Sequence, residues 1–317
     1  MTSHPPASLS LDFDNLWTYM KIHGDRGWET FPSYLDTLVP IVLERLKRHG
    51  LTITCFLVGQ DAALDQNREA LGELARQGHE IANHSFSHEP WFHEYDRAKV
   101  EQEIASAEEH IERVTGQRPR GFRGPGFSLS KDAVEVLVAR GYDYDASTLP
   151  TFLGPLARAY YFWTTRDMPE EERRKRRKLY GSVKDGLRPL EPYLWEGRLL
   201  EIPVTTMPVL RLPFHMSYLI YLAGYSRTAF RAYLRLALAL CRLRGVQPSF
   251  LLHPLDFLGG DRVKELSFFP GMSVPTEQKL DLFDEATSIL GSAFRLVTME
   301  EHAQIARQSG PLRSVAA

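Results

Sequence analysis

This sequence has few cysteines, little net charge and no long apolar segment. Its 317 residues include two cysteines, Cys55 and Cys241, and the formal net charge at pH 7 is −2. Cys55 lies in an apolar strand pattern, so we expect it in the core, with no disulfide and a reducing compartment. So small a net charge gives no reason to expect nucleic acid as a partner.

Signals for export or membrane insertion are lacking as well. Residues 1–8 are polar, without a basic start followed by an apolar run, and no stretch is apolar over enough residues to span a bilayer. We therefore expect a cytoplasmic protein. Hydrophobic residues make up 43% of the chain, which allows a sizeable core in one large barrel domain or two small domains.

Strand and helix patterns alternate regularly along the chain. Short apolar or alternating segments at 9–13, 51–58, 80–83 and 248–253 are typical of strands, and the apolar spacing of 97–114 is typical of a helix. This alternation favours parallel strands, and parallel barrels place their chemistry at the carboxyl ends of the strands.

Two histidines follow the strand pattern at 80–83. His84 and His88, in the segment His-Ser-Phe-Ser-His, bring two imidazoles into one small volume if the chain turns there. Neutral imidazole is the commonest protein ligand for zinc-like ions. Two histidines four residues apart are also common at surfaces and helix caps, so this pair alone is a weak signal.

Two aspartates lie at the end of the first strand pattern. Asp12 and Asp14 are two residues apart, so on a strand their side chains point to the same side. Carboxylates this close repel each other unless one binds a cation and the other meets an arginine or a proton. A solvated turn is the alternative interpretation, because Asp-x-Asp-Asn is also common turn composition.

Two more polar groups follow strand patterns. Arg123 precedes a glycine- and proline-containing turn that ends at Phe127, and such a turn can direct a backbone N–H at a substrate oxyanion while Arg123 holds a carboxylate. His253 closes the apolar segment 250–252. A single histidine there is usually structural, but it is the fourth polar group at a strand end.

In this order the motifs resemble the polysaccharide deacetylase family, the NodB-homology or carbohydrate esterase family 4 type, over roughly residues 8 to 300. Segment 84–88 matches the family's His-[Ser/Thr]-x-x-His motif, 123–125 matches Arg-x-Pro, and 251–253 matches Leu-x-His. Many members have adjacent aspartates where this chain has Asp12-Phe13-Asp14. The family motif with Asp and Trp has its nearest counterpart in Tyr-Asp-Ala-Ser at 144–147.

The resemblance implies a distorted (β/α)7 barrel and a metal-dependent hydrolase that removes an N-acetyl or other N-acyl group from an amino sugar. The implied metal ligands are Asp14, His84 and His88, with Zn²⁺ as the expected ion and Co²⁺, Mn²⁺, Ni²⁺ or Fe²⁺ as alternatives. The remaining implied site residues are Asp12 as general base, Arg123 as its partner, His253 as general acid, Pro125 and Phe127 at the oxyanion, and Asp145 in support of His253 or Arg123. The aspartate spacing leaves open which of Asp12 and Asp14 is the base.

Other functions stay open at this point. A deformylase or ureide hydrolase of the same fold would cleave a different C–N bond. A non-catalytic barrel that binds glycan or membrane would have no need of both a base and an acid, so Asp12 and His253 argue against it.

Two segments interrupt the alternation within what we expect to be a single domain, 1–317. An insertion at about 149–198 contains aromatic residues and the basic run 173–178, and a segment at about 207–244 combines an apolar run with Arg227, Arg231 and Arg235. These features are typical either of an aromatic lid with solvated basic faces or of a surface that contacts anionic membrane. The second interpretation favours a lipid-linked amino sugar as substrate, and the first a soluble sugar.

Overall fold

The polypeptide forms one curled sheet surrounded by helices. We describe it from a computed structural model, which covers residues 4–154 and 183–316. The strands are β1 (Pro6–Asp12), β2 (Thr54–Leu57), β3 (Glu80–Asn83), β4 (Gly121–Phe122), β5 (Tyr144–Asp145), β6 (Tyr193–Trp195), β7 (Leu199–Glu201), β8 (Ser249–Leu252), β9 (Arg295–Val297) and β10 (Ser314–Val315). The α-helices in the described ranges are α1 (Leu16–His23), α2 (Leu35–Arg48), α3 (Gly59–Ala63), α4 (Arg68–Arg76), α5 (Arg97–Thr115), α6 (Lys131–Ala139), α7 (Met216–Tyr225), α8 (Arg227–Arg244), α9 (Thr276–Ala293) and α10 (Met299–Gln308).

The strand order is that of a parallel barrel that stays open. Neighbours follow the order β8-β1-β2-β3-β4-β5-β7-β6-β10, and β9 also pairs with β1. The pairs are parallel except for β6 with β7. Parallel neighbours require helical crossovers, which α2, α4, α5 and α6 provide between successive strands. The predicted α/β class and distorted barrel are therefore confirmed.

Strand β1 lies inside the sheet and separates the core from the barrel interior. Leu9 and Leu11 belong to the main hydrophobic core, which also contains apolar residues of α2 and α9. The alternate residues Ser10 and Asp12 point to the other side of the strand, where both accept a hydrogen bond from Arg123. The period of two thus places polar groups on the inner face of a fully buried strand.

The C-terminal helix α10 fills one end of the barrel, which the sequence patterns do not predict. Met299 and Ala303 lie in the same hydrophobic cluster as Phe56 of β2. The Met299 N–H donates to Thr54 Oγ1 at the start of β2, and the buried His302 contacts the Ser8 hydroxyl through Nδ1 at 2.9 Å. The amino end of the barrel is therefore closed, and the opposite end is left for a site.

The two segments that interrupt the alternation are only partly described. The aromatic residues 160–163 and the basic run 173–178 lie outside the described residues, so the insertion at about 149–198 and the single-domain organisation stay predictions. Within 207–244 the apolar run forms α7 and the arginine row lies on α8. No helix in the described ranges is long and apolar enough to cross a membrane.

Candidate active site

The topology brings the predicted polar residues together at the carboxyl ends of adjacent strands. Residue Asn83 of β3 pairs with Phe122 of β4, so the residues that follow, His84 and Arg123, leave the sheet side by side. In the same way, Leu11 of β1 pairs with Leu252 of β8, which places His253 next to Asp12 along the edge. Ligands of open α/β sheets bind at this end of the strands.

Asp14, His84 and His88 form a compact, buried cluster. Asp14 Oδ1 lies 3.3 Å from His84 Nε2 and 2.9 Å from His88 Nε2, and one ligand atom from each residue lies within 4.8 Å of the others. Asp14 Oδ1 and His88 Nε2 approach each other without hydrogen-bond geometry, and both atoms are buried without a hydrogen-bond partner. One carboxylate and two imidazoles that converge in this way fit a divalent first-row cation such as Zn²⁺.

The orientation of His84 is fixed by the backbone of the neighbouring strand. Its Nδ1 lies 2.7 Å from the Arg123 carbonyl oxygen, so Nδ1–H is the donor and Nε2 is the nitrogen that faces Asp14. A second hydrogen bond of this kind orients most metal-binding histidines. The ring cannot rotate without losing this bond in a buried environment.

The loop from His84 to His88 is held in an uncommon backbone conformation. Ser85 and His88 have φ values of 60° and 50°, which cost about 1–3 kcal/mol for non-glycine residues in sparsely populated regions. The buried carboxylate of Glu103, on α5, stabilises the loop by accepting from the Ser87 N–H and hydroxyl, both at 2.8 Å. Asn83 accepts from the Ser85 N–H at 2.8 Å. Glu103 has no recognisable signal in the sequence, because it looks like one more charged residue of a helix.

The electrostatics of the cluster keep its carboxylate ionised. Burial alone would raise the pKa of Asp14, but His88 and His84 outweigh burial and hold it well below the usual range. Burial alone would lower the pKa of His84, but the carboxylates of Asp12 and Asp14 raise it above its ordinary value. A cation between these groups would replace the protons as the source of positive charge.

Asp12 forms a fully buried ion pair with Arg123. Arg123 Nη1 lies 2.5 Å from Asp12 Oδ1 and 3.1 Å from Ser10 Oγ, and the guanidinium stacks over the ring of Phe56 at 4.1 Å. The other carboxylate oxygen, Asp12 Oδ2, lies 4.0 Å from His84 Nε2. Asp12 therefore joins the arginine to the histidine cluster, and Asp14 reaches the cluster from just beyond the end of β1.

The turn after Arg123 is shaped by its glycines. A side chain at Gly124 would place Cβ only 1.9 Å from the Ser128 carbonyl oxygen, so no other residue fits there. Pro125 and Phe127 form a short 3₁₀ turn in which the Phe127 N–H donates to the Gly124 carbonyl at 3.0 Å. This N–H already has an acceptor, and its predicted role at an oxyanion stays a prediction.

Asp145 lies behind this turn, where it is hydrogen-bonded to Ser147. Its Oδ1 accepts from the Ser147 hydroxyl at 2.6 Å, and Ser147 Oγ accepts from the Gly124 N–H at 2.7 Å. Asp145 therefore supports the backbone next to Arg123. Burial raises the pKa of Glu201, on β7, well above its ordinary value, and the charge of Asp145 raises it further, so this acidic pair is not fully ionised.

His253 is surrounded by residues that the sequence patterns do not single out. Its Nδ1 lies 3.3 Å from the hydroxyl of Ser217, at the start of α7, and its ring centre lies 5.7 Å from that of His215. Burial lowers the pKa of His215 well below the ordinary value, and the neighbouring His253 and Arg123 lower it further, so His215 is neutral at pH 7. The segment 207–244 thus contributes side chains to the site.

Comparisons with known proteins relate the N-terminal part of the chain to one family. The family model described as Polysaccharide deacetylase matches residues 4–144, which carry the aspartates, the two histidines and Arg123. A peptidoglycan-N-acetylglucosamine deacetylase of Bacillus cereus is 33% identical over 86 residues, 27% of this chain and 30% of that protein. A peptidoglycan deacetylase of Helicobacter pylori is 29% identical over 112 residues, 35% of this chain and 37% of that protein. The chain thus spans about a third of the length of these curated relatives.

A solved structure supports the same assignment at the level of the fold. A crystal structure from Mycobacterium smegmatis, assigned to the polysaccharide deacetylases, superposes with a TM-score of 0.64 at 18% identity, and the match covers 100% of this chain and 95% of that one. At this identity the likeness shows the fold. The family match over residues 4–144 and this shared fold together support a relationship to the polysaccharide deacetylases.

Proposed function

We propose that the protein is a metal-dependent hydrolase that removes an N-acetyl or other N-acyl group from an amino sugar. The observation that carries the proposal is the buried cluster of Asp14, His84 and His88 beside the ion pair of Asp12 and Arg123. A divalent ion held by this cluster would polarise the carbonyl of the substrate amide. The family match supports the same class of reaction.

In this proposal Asp12 is the general base. One of its carboxylate oxygens is held by Arg123, and the other faces the cluster, 4.0 Å from His84 Nε2. In the proposed reaction this free oxygen takes a proton from the water that attacks the carbonyl, a contribution of about 10² to 10⁴ in rate. The contact with Arg123 fixes the orientation of the Asp12 carboxylate. Asp14 contacts both histidines and is the proposed ligand.

His253 is the proposed general acid on the other side of Asp12. An amine is a poor leaving group until its nitrogen is protonated, so amide cleavage needs an acid within reach of that nitrogen. His253 Nδ1 is engaged with Ser217, which leaves Nε2 to give the proton. The turn at Pro125 and Phe127 lies at the same end of the sheet, where a backbone N–H would bind the oxyanion once it is released from its present acceptor.

The test is direct. Purified enzyme is incubated with acetylated, formylated and lipid-linked amino sugars, with and without added Zn²⁺, Co²⁺ or Mn²⁺, and the products are read by mass spectrometry. Loss of acetyl supports the proposal, and loss of formyl alone indicates a deformylase. If no sugar gives a product, the remaining interpretation is a non-catalytic binding protein. His88→Ala should lose both bound metal and turnover, whereas His4→Ala, at an exposed histidine, should keep both.

An exposed tyrosine surface favours a lipid-linked form of the substrate. Helix α7 contains no charged residue, and Tyr218, Tyr221 and Tyr225 are 40%, 55% and 75% exposed on it. Tyr218 packs edge-on against His215 at 4.7 Å, so this surface reaches the site. Tyrosine is enriched where proteins meet the headgroup layer of membranes. We include in the proposal that the protein works at the inner face of an anionic membrane.

The arginine row on α8 contributes less to such contact than its sequence suggests. Arg227 and Arg231 both pair with Glu285 of α9, at 2.7 Å for Arg227, so much of their charge is neutralised. Co-sedimentation with anionic vesicles tests the membrane contact. Serine at Tyr221 and Tyr225 together should reduce binding severalfold, whereas serine at Leu243, an exposed apolar residue of α8, should not. A protein that ignores such vesicles at low salt would make a soluble sugar the substrate.

A further inference from the structure

The general acid His253 is held by a residue of helix α7 and not by Asp145. Its Nδ1 lies 3.3 Å from Ser217 Oγ. The helix is preceded by His215, whose side chain makes no capping hydrogen bond, and Ser217 is not used as a cap either. The hydroxyl of Ser217 is thus directed at the imidazole although it lies on a different element of the fold, 36 residues away in sequence.

A buried carboxylate, that of Asp256, lies next to His253. Asp256 is 1% exposed, and its Oδ2 accepts the backbone N–H of His253 at 2.8 Å. Burial raises the pKa of Asp256, and the factors that oppose burial include its attraction to His253 and the Ser217 hydroxyl. The Ser217 hydroxyl thus contacts the ring of His253, while the Asp256 carboxylate holds the backbone of the same residue.

We propose that Ser217 and Asp256 are positioning residues for His253, an inference that rests on the proposed function. In the charged imidazole, Nδ1–H donates to Ser217 Oγ and the Ser217 hydroxyl donates to Asp256, so that Nε2–H points toward the substrate nitrogen. The proton on Nε2 passes to the leaving amine as its C–N bond breaks. The imidazole is left neutral with its remaining proton on Nδ1, still bonded to Ser217.

The other charged and titratable groups around His253 do not replace this arrangement. His215 is neutral at pH 7, and Arg123 is committed to Asp12. Lys279 of α9 donates to the Leu255 and Leu258 carbonyls, and burial lowers its pKa to about 8. Among these groups, Asp256 is the carboxylate that both contacts His253 and interacts with Ser217.

The experiment compares Ser217→Ala and Asp256→Asn with the wild type on two substrates. On an N-acetyl amino sugar, kcat should fall roughly tenfold for the first variant and more for the second, with KM nearly unchanged, because acid catalysis as a whole contributes about 10² to 10⁴. The alkaline limb of the kcat profile should move to lower pH, because the charged imidazole has lost a stabilising carboxylate. On an aryl acetate, whose leaving group needs no proton, both variants should match the wild type.

Controls separate this role from a structural one. Ser217→Thr keeps the hydroxyl and should restore most of the activity. Ser226→Ala removes the serine that caps α8 and should lower stability with no change in the pH profile. Imidazole ¹⁵N shifts of the metal-free protein provide a readout without turnover, and the titration of His253 should move to lower pH in Ser217→Ala.

The outcomes are distinct. A wild type inactive on every N-acyl sugar overturns the proposed function, and the imidazole titration then still tests the arrangement around His253. A wild type that is active, with Ser217→Ala equal to it in amide turnover, pH profile and ¹⁵N titration, overturns the positioning role. Equal losses on the amide and on the aryl ester also overturn it, because they indicate a general distortion of the site.

Discussion

The ion pair of Asp12 and Arg123 allows a prediction that needs no substrate. The Arg123 side chain is completely buried, and the Asp12 side chain is 6% exposed. Arg123→Met removes the guanidinium and leaves the Asp12 carboxylate without its partner in a place that water hardly reaches. Breaking a buried ion pair in this way costs about 3–5 kcal/mol, because the remaining charge is uncompensated.

A double-mutant cycle isolates the interaction between Asp12 and Arg123. Asp12→Asn alone removes the charge but keeps an oxygen that can accept from Arg123, and we expect it to cost about 1–3 kcal/mol. In the double variant Asp12→Asn/Arg123→Met no charge is stranded, so its cost should stay at or below that of Arg123→Met alone. The destabilisations of the two single variants, added together, should then exceed that of the double variant by about 1–3 kcal/mol. For independent sites the two values agree within about 0.5 kcal/mol.

The assay is urea unfolding at pH 7, followed by circular dichroism on metal-free protein so that metal linkage does not enter. Arg120→Met is the matched control: Arg120 pairs with Asp143 at 2.9 Å, but its side chain is 49% exposed, and such pairs contribute about 0–1 kcal/mol. If Arg123→Met costs less than about 1 kcal/mol, or if the cycle is additive, the stranded-charge reasoning is wrong.

Three further predictions concern the site and its support. Asp12→Asn should keep the bound metal but lower turnover roughly a hundredfold, as for a missing general base, whereas Asp14→Asn should weaken metal binding itself, measured by elemental analysis. Glu103→Gln should lower metal affinity, read by competition with a chelating dye, by about 10–100-fold, because the loop of His84 and His88 loses a charged acceptor. Acid should destabilise the protein through His302, because burial lowers its folded-state pKa to about 4 from the ordinary 6.5. Below pH 6.5 the imidazole is protonated in the unfolded chain but stays neutral in the folded protein. The contribution of His302 to the free energy of unfolding is therefore complete above pH 6.5 and falls by about 3 kcal/mol toward pH 4.

Each of these three predictions would be contradicted by a specific result. Loss of metal in Asp12→Asn with retention in Asp14→Asn would exchange the two roles. Unchanged affinity in Glu103→Gln would show that the loop holds its shape without the carboxylate, and Glu101→Gln, on an exposed position of the same helix, is the control. For His302, urea unfolding between pH 4 and 7 should show a shallower decline in His302→Gln than in the wild type, and equal slopes would refute the assignment.

Local sequence patterns determined the ingredients of the site. The alternation at 9–13 predicts that Asp12 and Asp14 point to the same side; although β1 ends at Asp12, a carboxylate oxygen of each lies within 4.0 Å of His84 Nε2. The same kind of argument places the His-x-x-x-His segment and Arg123 at strand ends. These inferences work because side-chain direction along a strand and the sharp turn after it depend on neighbours a few residues away.

The supports of the site were decided by tertiary structure. Glu103 reaches the histidine loop from a helix, and Ser217 reaches His253 from a segment that reads in sequence as an apolar run. Helix α10 closes the barrel, although none of the motifs singled out in the sequence lies in it. Which side chain meets such a group depends on how whole helices pack against the sheet. That packing is set by the sum of many weak contacts between residues far apart in the chain, and no short pattern records it.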